Sequence, residues 1–549
     1  MPFEDEVREL LQKHLKLAEV VLEKPKADFG DLAFPCFSLA KERRKSPVEI
    51  AKEIAAELKP SGSIERIAAT GPYVNFFMRK ADLAKDVLGL IEKQGEQYGS
   101  SGVGKGKKLL VEHTSINPNA SPHVGRARNG IIGDSIARIM AFQGYAVSRH
   151  FYVNDVGKQI AMLVMGGKGV PKFHELLDEY VRINKDVEEH PEREKEVFAL
   201  LNKLEAGDKE VRHRFRAIVE SCITGQAAIF KDFGITFDHY DYESDFLWSK
   251  ETERVLEALR KTGKLFEDEE KRLVLDLKGF ELPMEHPVFV LTRADKTSLY
   301  GLRDIAYNLH KLGLAKRNII VLGEDQRLYF KQISAALSLL GKEPPEIVHY
   351  SFVLLSDGKM STRQGNVVLL VDFMKEAREK AAAEIRKRDY SSDVDKIAKD
   401  IAYGAVKFSI IKVSAEKNVT FDWDIALSFE GETGPYVQYA HARICSILRK
   451  HGKLPKRCDT SLLSAPEEVA LLKQLAEFPA TVKQAERRPH VLAAYAYLLA
   501  KQFSDFYHEQ QVLKAEEKLR DARLRLCDAV RQVLARSLFL LGINAPETM

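Results

Sequence analysis

Between Lys107 and about Asp372 the sequence alternates short apolar, β-branched runs with helical stretches. The runs are LLVEHT, AVSRHFYV, RLVLDL, FVLTR, NIIVLG and IVHYSFVLL. Consecutive parallel strands need a long crossover, which is usually a helix. The alternation therefore predicts an α/β region built on a Rossmann-like, doubly wound parallel sheet. A charged helical insertion interrupts it at about residues 160–250. Its charge runs read as solvated helix faces, with a nucleic-acid-contacting or gating role as the alternative.

The flanks are different in kind. Residues 1–94 read as a small α+β domain. Ser46 and Pro47 are a helix start signal, and RIAATGPYVNFFMR reads as two strands around a Gly-Pro turn. Residues 95–106 (GEQYGSSGVGKG) read as a glycine-serine linker. Gly99 to Lys105 fits the start of a P-loop, but residue 106 is Gly where Ser or Thr would bind Mg²⁺, and a strand follows instead of a helix. From residue 373 to 549 apolar residues recur at helical spacing, as in HVLAAYAYLLAKQFSDFYHEQQVL. That pattern predicts an all-α helical bundle.

Composition sets outer limits. A chain of 549 residues suggests three or four domains. With 84 Lys+Arg against 80 Asp+Glu the net charge is +4, so a nucleic-acid partner requires basic residues gathered on one face. No uncharged apolar run approaches the ~18 residues of a membrane span. The start, MPFEDEVRELLQKHLK, is charged and amphipathic, unlike a secretory signal. The five cysteines are scattered, odd in number and without a CxxC pair. A reduced, cytoplasmic protein without a structural metal is expected.

Two segments carry chemistry. The strand LLVEHTS leads into INPNASPHVGRARNGIIGD, a loop followed by a helix beginning near His123. Strand, loop and helix N-terminus form the phosphate-binding arrangement of doubly wound folds. Gly125 lets a nucleotide approach the backbone, and His123 can donate to a phosphate oxygen. Taken alone, HxG also suits an ordinary helix start. The second segment, DGKMSTRQGN at 357–366, puts Lys359 and Arg363 around a Ser/Thr/Gly turn. Such a loop can close cations over a triphosphate, though a lone basic loop is usually a solvated turn.

The pair is more specific than either part. It resembles the HIGH and KMSKS elements of class I aminoacyl-tRNA synthetases. VEHTSINPNASPHVG, FYVNDVGKQ, SLYGLRDIAYNLHK, GEDQRLYFKQ, KMSTRQGNVV and GETGPYVQYAHARICSIL look like blocks of the arginyl-tRNA synthetase family, in its order. FGDLAFPCF and the final NAPETM resemble its two ends. The resemblance implies ATP-dependent activation of L-arginine, with Mg²⁺ accompanying ATP, and transfer to tRNA-Arg. It also implies that tRNA must bind before activation.

Residue by residue, the resemblance makes His123, Gly125, Lys359, Met360 and Ser361 the ATP-binding set. Glu112, Asn117, Tyr300, Asp304 and Gln326 become the arginine-binding set, with Asp304 as the guanidinium acid. Chemistry agrees, because a planar cation pairs best with a carboxylate fork. Tyr300 and Asp304 are one helical turn apart and could line one wall. The bland alternatives are Asp304 as a helix-start residue, Tyr300 as core, and Glu112 and Gln326 as surface groups.

The chain departs from the family pattern twice. Arg126 stands for the second His of HIGH, and Thr362 stands for the second Lys of KMSKS. A Lys usual before HIGH is Ala120 here. Arg126 and Arg363 are candidate substitutes for the lost groups; alternatively Arg126 faces solvent and Lys359 suffices.

For tRNA, Tyr436, Tyr439 and Arg443 lie at i, i+3 and i+7, so a helix would present them on one face. Aromatics beside Arg suit stacking on unpaired bases, although a tyrosine stripe is more often core. By resemblance these residues, Tyr507 and Met549 belong to the anticodon-binding domain, and Asn75 and Phe77 to an N-terminal domain that touches the tRNA elbow. A monomer without a membrane partner is expected. Two rivals remain in view. One is a catalytically impaired tRNA-binding paralogue, suggested by Arg126 and Ala120. The other is a different adenylate-forming enzyme, which would leave the tyrosine-bearing bundle without a task.

Overall fold

The computed structural model of the protein describes residues 2–25, 29–119, 121–167, 169–355, 368–386, 393–455 and 457–549. The chain divides into two compact units. One comprises residues 1–98, 443–479 and 498–534; the other comprises 99–442, 480–497 and 535–549.

In the first unit, an antiparallel sheet has the strand order Leu32–Pro35, Tyr73–Met78, Ile64–Thr70. The hairpin turns at Gly71, whose φ of 56° is left-handed. Helix Pro47–Glu57 begins with a full capping box: Ser46 Oγ accepts from Glu49 N, and the Glu49 carboxylate accepts from Ser46 N. Its buried face (Ile50, Ala51, Ile54) joins Phe3, Val7, Leu11, Phe34 and Phe76 in one apolar core. The opening helix stops at Leu15, because Lys16 adopts a left-handed φ of 53°.

The second unit carries the five-stranded parallel sheet, ordered Glu346–Tyr350, Arg317–Gly323, Lys108–Glu112, Ala146–Val153, His239–Tyr242. The chain starts in the middle strand, builds outward through Ala146–Val153 and His239–Tyr242, then returns to the other side of the middle strand. The order therefore reverses between Lys108–Glu112 and Arg317–Gly323, which creates the crevice where ligands bind in such sheets.

Three sequence expectations need correction. RLVLDL and FVLTR do not join the parallel sheet. They form an antiparallel meander of Leu265–Glu267, Leu273–Asp276 and Val288–Val290, because no crossover helix separates them. The edge strand His239–Tyr242 falls inside the window expected to be a helical insertion. Helices occupy that window only as far as Asp232 before it, with Glu243–Trp248 just after. The run IVHYSFVLL also breaks at Ser351, and its second part, Val353–Leu355, pairs with Val419–Phe421.

Within the second unit, the segment from Gly99 to Gly106 is held against the fold that follows it. Ser100 Oγ donates to Phe142 O at 2.6 Å, and Gly104 N donates to Gln143 O at 2.9 Å. A Cβ on Gly104 would come within 2.2 Å of the Tyr145 ring. The following element is the strand Lys108–Glu112, so the segment lacks the strand-to-helix setting of a P-loop. From Val394 onward the described chain is helical apart from the short strand Val419–Phe421, and its long helices are Val394–Ile411, Gly434–His451, Pro466–Gln484, Pro489–Glu509 and Glu517–Leu540.

Candidate active site

Helix Val124–Phe142 forms one wall of the crevice and is almost wholly buried. Two glycines let it approach the end of the middle strand. A Cβ on Gly133 would lie 2.3 Å from His113, and one on Gly130 would lie 3.1 Å from Thr114 Oγ1. Asn129 ties the two strands at the order reversal. Its Oδ1 accepts from Thr114 N at 2.7 Å, and its Nδ2 donates to Val321 O at 2.9 Å. Thr114 and Ser115, with φ of 72° and 38°, store backbone strain just beyond the middle strand.

His123 stands at the N-cap position of this helix with extended backbone and makes no side-chain capping bond, while the Arg126 N–H closes back onto His123 O at 2.9 Å. Burial, aided by the charge of Arg126, holds the His123 imidazole down at about 4, so it is neutral at neutral pH. Arg126 itself is exposed, one turn into the helix beside half-buried Gly125. The loop before the helix pairs with a distant segment: Val124 N donates to Val368 O at 3.1 Å, and Leu370 N donates to Pro122 O at 2.7 Å. Lys359, Met360, Ser361, Thr362 and Arg363, like Ala120, lie outside the described residues.

Arg128, fully buried on the same helix, donates to Ser351 O at 2.8 Å, Phe352 O at 3.2 Å and Ser414 O at 2.9 Å. It anchors the break between the parallel sheet and Val353–Leu355.

Beyond the strand ends lies a layer of charge. Helix Tyr300–Leu314 carries Arg303, Asp304, Tyr307 and Lys311 into it. The Glu112 carboxylate contacts the Lys311 ammonium, and both are buried. Arg303 Nε donates to Glu243 Oε1 at 2.6 Å, again with both partners buried. Asp241 accepts from the Tyr307 hydroxyl at 2.7 Å and lies 2.6 Å from His150 Nδ1. Asp304 differs from these three. It accepts from Tyr152 Oη at 2.9 Å and from the Tyr329 hydroxyl, and no cation lies at ion-pair distance among the described residues. Burial pushes its carboxyl above the usual range, against the two phenol donors. Tyr300, 57% exposed, stands with its ring 5.2 Å from that of Tyr329.

The fold thus brings Tyr300, Asp304 and Glu112 to one layer. It does not join Asn117 or Gln326 to that layer by any described contact. Exposed Asn117 donates from Nδ2 to Gln159 Oε1 at 3.2 Å, and exposed Gln326 lies 3.4 Å from Asp325 Oδ2. Glu112 is no surface group: it is 5% exposed and already neutralised by Lys311. Sequence reading missed Tyr152, Tyr329, Lys311, Arg128 and Asn129. The first three lie within the blocks FYVNDVGKQ, GEDQRLYFKQ and SLYGLRDIAYNLHK or at their edges, but no local spacing links a residue to a partner on another strand or helix.

Among the expected RNA contacts, Asn75 is 2% exposed and Met549 8%, so neither side chain is open to a partner as placed. Phe77 is half-buried under Arg66, whose guanidinium stands 3.6 Å from the ring centroid. Tyr436 packs near Tyr497 at 5.6 Å, and Tyr439 near Phe429 at 6.1 Å, so both are partly helix packing. Arg443 lies 5.1 Å over the ring of Tyr507, which is 41% exposed. Among the described residues no group of three His, Cys, Asp or Glu side chains could hold a metal ion.

A family sequence model described as class I tRNA synthetases (R), catalytic domain, matches residues 89–423. The chain belongs to the arginyl-tRNA synthetase family. A model of the N-terminal domain of arginyl-tRNA synthetases matches residues 2–78, and one of the DALR anticodon-binding domain matches residues 437–549. Within this family, the chain is 42% identical to the arginine–tRNA ligase of Methanocella arvoryzae, covering 93% of this chain and 92% of that one. It is 38% identical to that of Methanocaldococcus jannaschii, covering 99% and 98%. The structure is similar to Thermus thermophilus arginyl-tRNA synthetase, with a TM-score of 0.85, 30% identity, and coverage of 100% and 99%. The class I catalytic fold, the N-terminal domain and the helical C-terminal domain of the arginyl-tRNA synthetase family are all represented here.

Proposed function

We propose that this chain activates L-arginine with ATP, as Mg²⁺–ATP, and transfers the arginyl group to the terminal adenosine of tRNA-Arg, releasing AMP and diphosphate. The observation that carries the reading is the charge balance around Asp304. Glu112, Glu243 and Asp241 each have a cationic or imidazole neighbour, whereas Asp304 has two phenol donors and an exposed tyrosine beside it. A guanidinium supplied by the substrate completes the balance, with two parallel N–H donors facing one carboxylate. Lysine offers a point charge and no fork, so it is a poorer fit.

No covalent enzyme intermediate is required. The arginine carboxylate attacks the α-phosphate, so the protein's tasks are alignment and charge stabilisation. His123 donates to the α-phosphate as a neutral imidazole. Gly125 and the helix N-terminus leave room for the nucleotide, and Arg126 adds positive potential. Lys359 binds the β- and γ-phosphates, Met360 and Ser361 belong to the ATP-binding set, and Arg363 adds a second cation. Tyr300, Asp304 and Glu112 shape the arginine pocket, Glu112 through its pairing with Lys311, while Asn117 and Gln326 reach the substrate from the pocket edges. Exposed Tyr507 with Arg443, and the partly packed Tyr436 and Tyr439, belong to the anticodon-binding part. Phe77 belongs to an elbow-binding part spanning residues 1–94.

The protein works as a cytoplasmic monomer. Supporting a reduced compartment, its five cysteines are free; among the described residues no helix is long and apolar enough to cross a membrane. ATP–pyrophosphate exchange with arginine, with and without tRNA-Arg, tests the whole reading. Exchange that depends on tRNA is expected; charging of lysine in place of arginine would defeat it.

A further inference from the structure

A second cavity, of about 620 Å³, lies in the α/β unit, and Asp304 is not among its lining residues. The outer strand of the parallel sheet (Ile347 to His349), the start of helix Arg327–Leu339, residues 414–416 and residues 483–490 enclose it. Its cations are Arg327, Lys483, Arg487 and Arg488, with two imidazoles, His349 and His490. Among the described lining residues, Glu416 and Glu486 are the carboxylates against them.

The pairing within the cavity is uneven. Arg487 Nε lies 3.2 Å from Glu346, and Glu486 lies 3.4 Å from Arg317. Among the described residues, Arg327, Lys483 and Arg488 make no ion pair, so their charge remains directed at the cavity and solvent. Both imidazoles register that field. Burial and the neighbouring Arg327 push His349 down, and burial and Arg488 push His490 down. Both are thus neutral at neutral pH, and the arginines and Lys483 set the sign.

The wall is also preformed. Ser351 N donates to Ala415 O at 2.9 Å, and Arg128 donates to both Ser351 O and Ser414 O. A rigid frame lowers the ordering cost of binding. The volume is that of a nucleotide-sized site, far larger than a single inorganic anion needs. Among the described residues no Phe, Tyr or Trp lines it, so these residues offer no aromatic platform for a base. Cations without a stacking surface fit a nucleic-acid backbone, read without regard to sequence.

We propose that this cavity is a second, sequence-independent contact for tRNA, in which Lys483, Arg488 and Arg327 take phosphodiester groups of the RNA backbone. The inference rests on the reading of the chain as a tRNA ligase and adds to it a set of cations to which that reading gives no role.

The test uses the full chain with Lys483→Ala, Arg488→Ala and their double variant, measuring tRNA-Arg affinity across a salt series together with arginine charging. Each lost phosphate contact should reduce the slope of log affinity against log salt by about one, with a several-fold loss of affinity at low salt. The KM for arginine should stay as in the parent, and the charge-conserving pair Lys483→Arg and Arg488→Lys should retain binding. Unchanged affinity and slope in the double variant would overturn the proposal. So would a selective rise in the KM for ATP, or loss of stabilisation by inorganic pyrophosphate, with tRNA affinity intact; either would assign the cavity to free polyphosphate. A parent protein that binds tRNA-Arg yet never charges it with arginine refutes the ligase reading, while the cavity is still judged on the variants' binding.

Discussion

Tyr152 donates its phenolic hydrogen to Oδ1 of Asp304 across 2.9 Å, from a strand to a helix far away in the chain. With the Tyr329 hydroxyl on the other oxygen, the carboxylate is oriented, and among the described residues no cation lies at ion-pair distance. Asp304→Asn keeps the shape and removes the charge. It should lower kcat/KM for arginine about a hundredfold or more, the scale of breaking a buried charge pair. The acid limb follows from the raised pKa of Asp304. Guanidinium binding needs the ionised form, so the KM for arginine should climb as pH falls through a value above the usual carboxylate range. Tyr329→Phe removes a donor that favours ionisation and should move that limb to still higher pH. The stability linkage has the opposite sense. A carboxyl whose folded pKa is raised favours folding at low pH and loses that contribution as pH rises through it. Asp304→Asn should therefore unfold at no lower urea concentration than the parent at pH 7 while losing activity.

Lys311 and Glu112 neutralise one another in the interior. Lys311→Met strands a buried carboxylate and should cost about 3–5 kcal/mol in urea unfolding. The double variant with Glu112→Gln should recover most of that loss. A strictly additive double mutant would show that the pair is not coupled.

His123 is held at about 4 by burial and by Arg126. Arg126→Ala should raise the imidazole pKa in an NMR titration and slow arginine activation; unchanged activation kinetics would reject a catalytic part for Arg126. Buried His113 also titrates at about 4, because burial outweighs its acidic neighbours. Folded-state values below the ordinary 6.5 mean that the unfolded chain takes up protons first. Their stability contribution is complete above pH 6.5 and is lost as pH falls toward 4, by up to about 3 kcal/mol for His113. His113→Asn should flatten that part of the stability profile.

Arg128 satisfies carbonyls on both sides of the break at Ser351. Arg128→Met fills the space but leaves those oxygens without their donor. It should destabilise the protein by roughly 2–4 kcal/mol and lower the rate of adenylate formation. A parent-like unfolding midpoint would show that water replaces the guanidinium at no cost.

Much of the architecture was legible because it depends on neighbours in sequence. The helix start at Ser46 and Pro47, the Gly-Pro hairpin and the helix beginning at His123 each need only a few adjacent residues. Composition misled where burial varied along a strand. His239–Tyr242 is a polar edge strand, mostly half-buried, and so lacks the apolar run that marks a buried one, whereas RLVLDL is apolar enough to pass for a parallel strand. Resemblance drew Asp304, Tyr300 and Glu112 from their blocks, yet it did not reveal which carboxylate lacks a cation.

The order of amino acids determined the alternation of strand and helix, the glycines that allow close approach, and the chemical types available at each turn. Tertiary structure alone decided which charges cancel. Coulomb energy and desolvation depend on distance and burial, and residues 112 and 311, or 152 and 304, become neighbours only when the sheet closes.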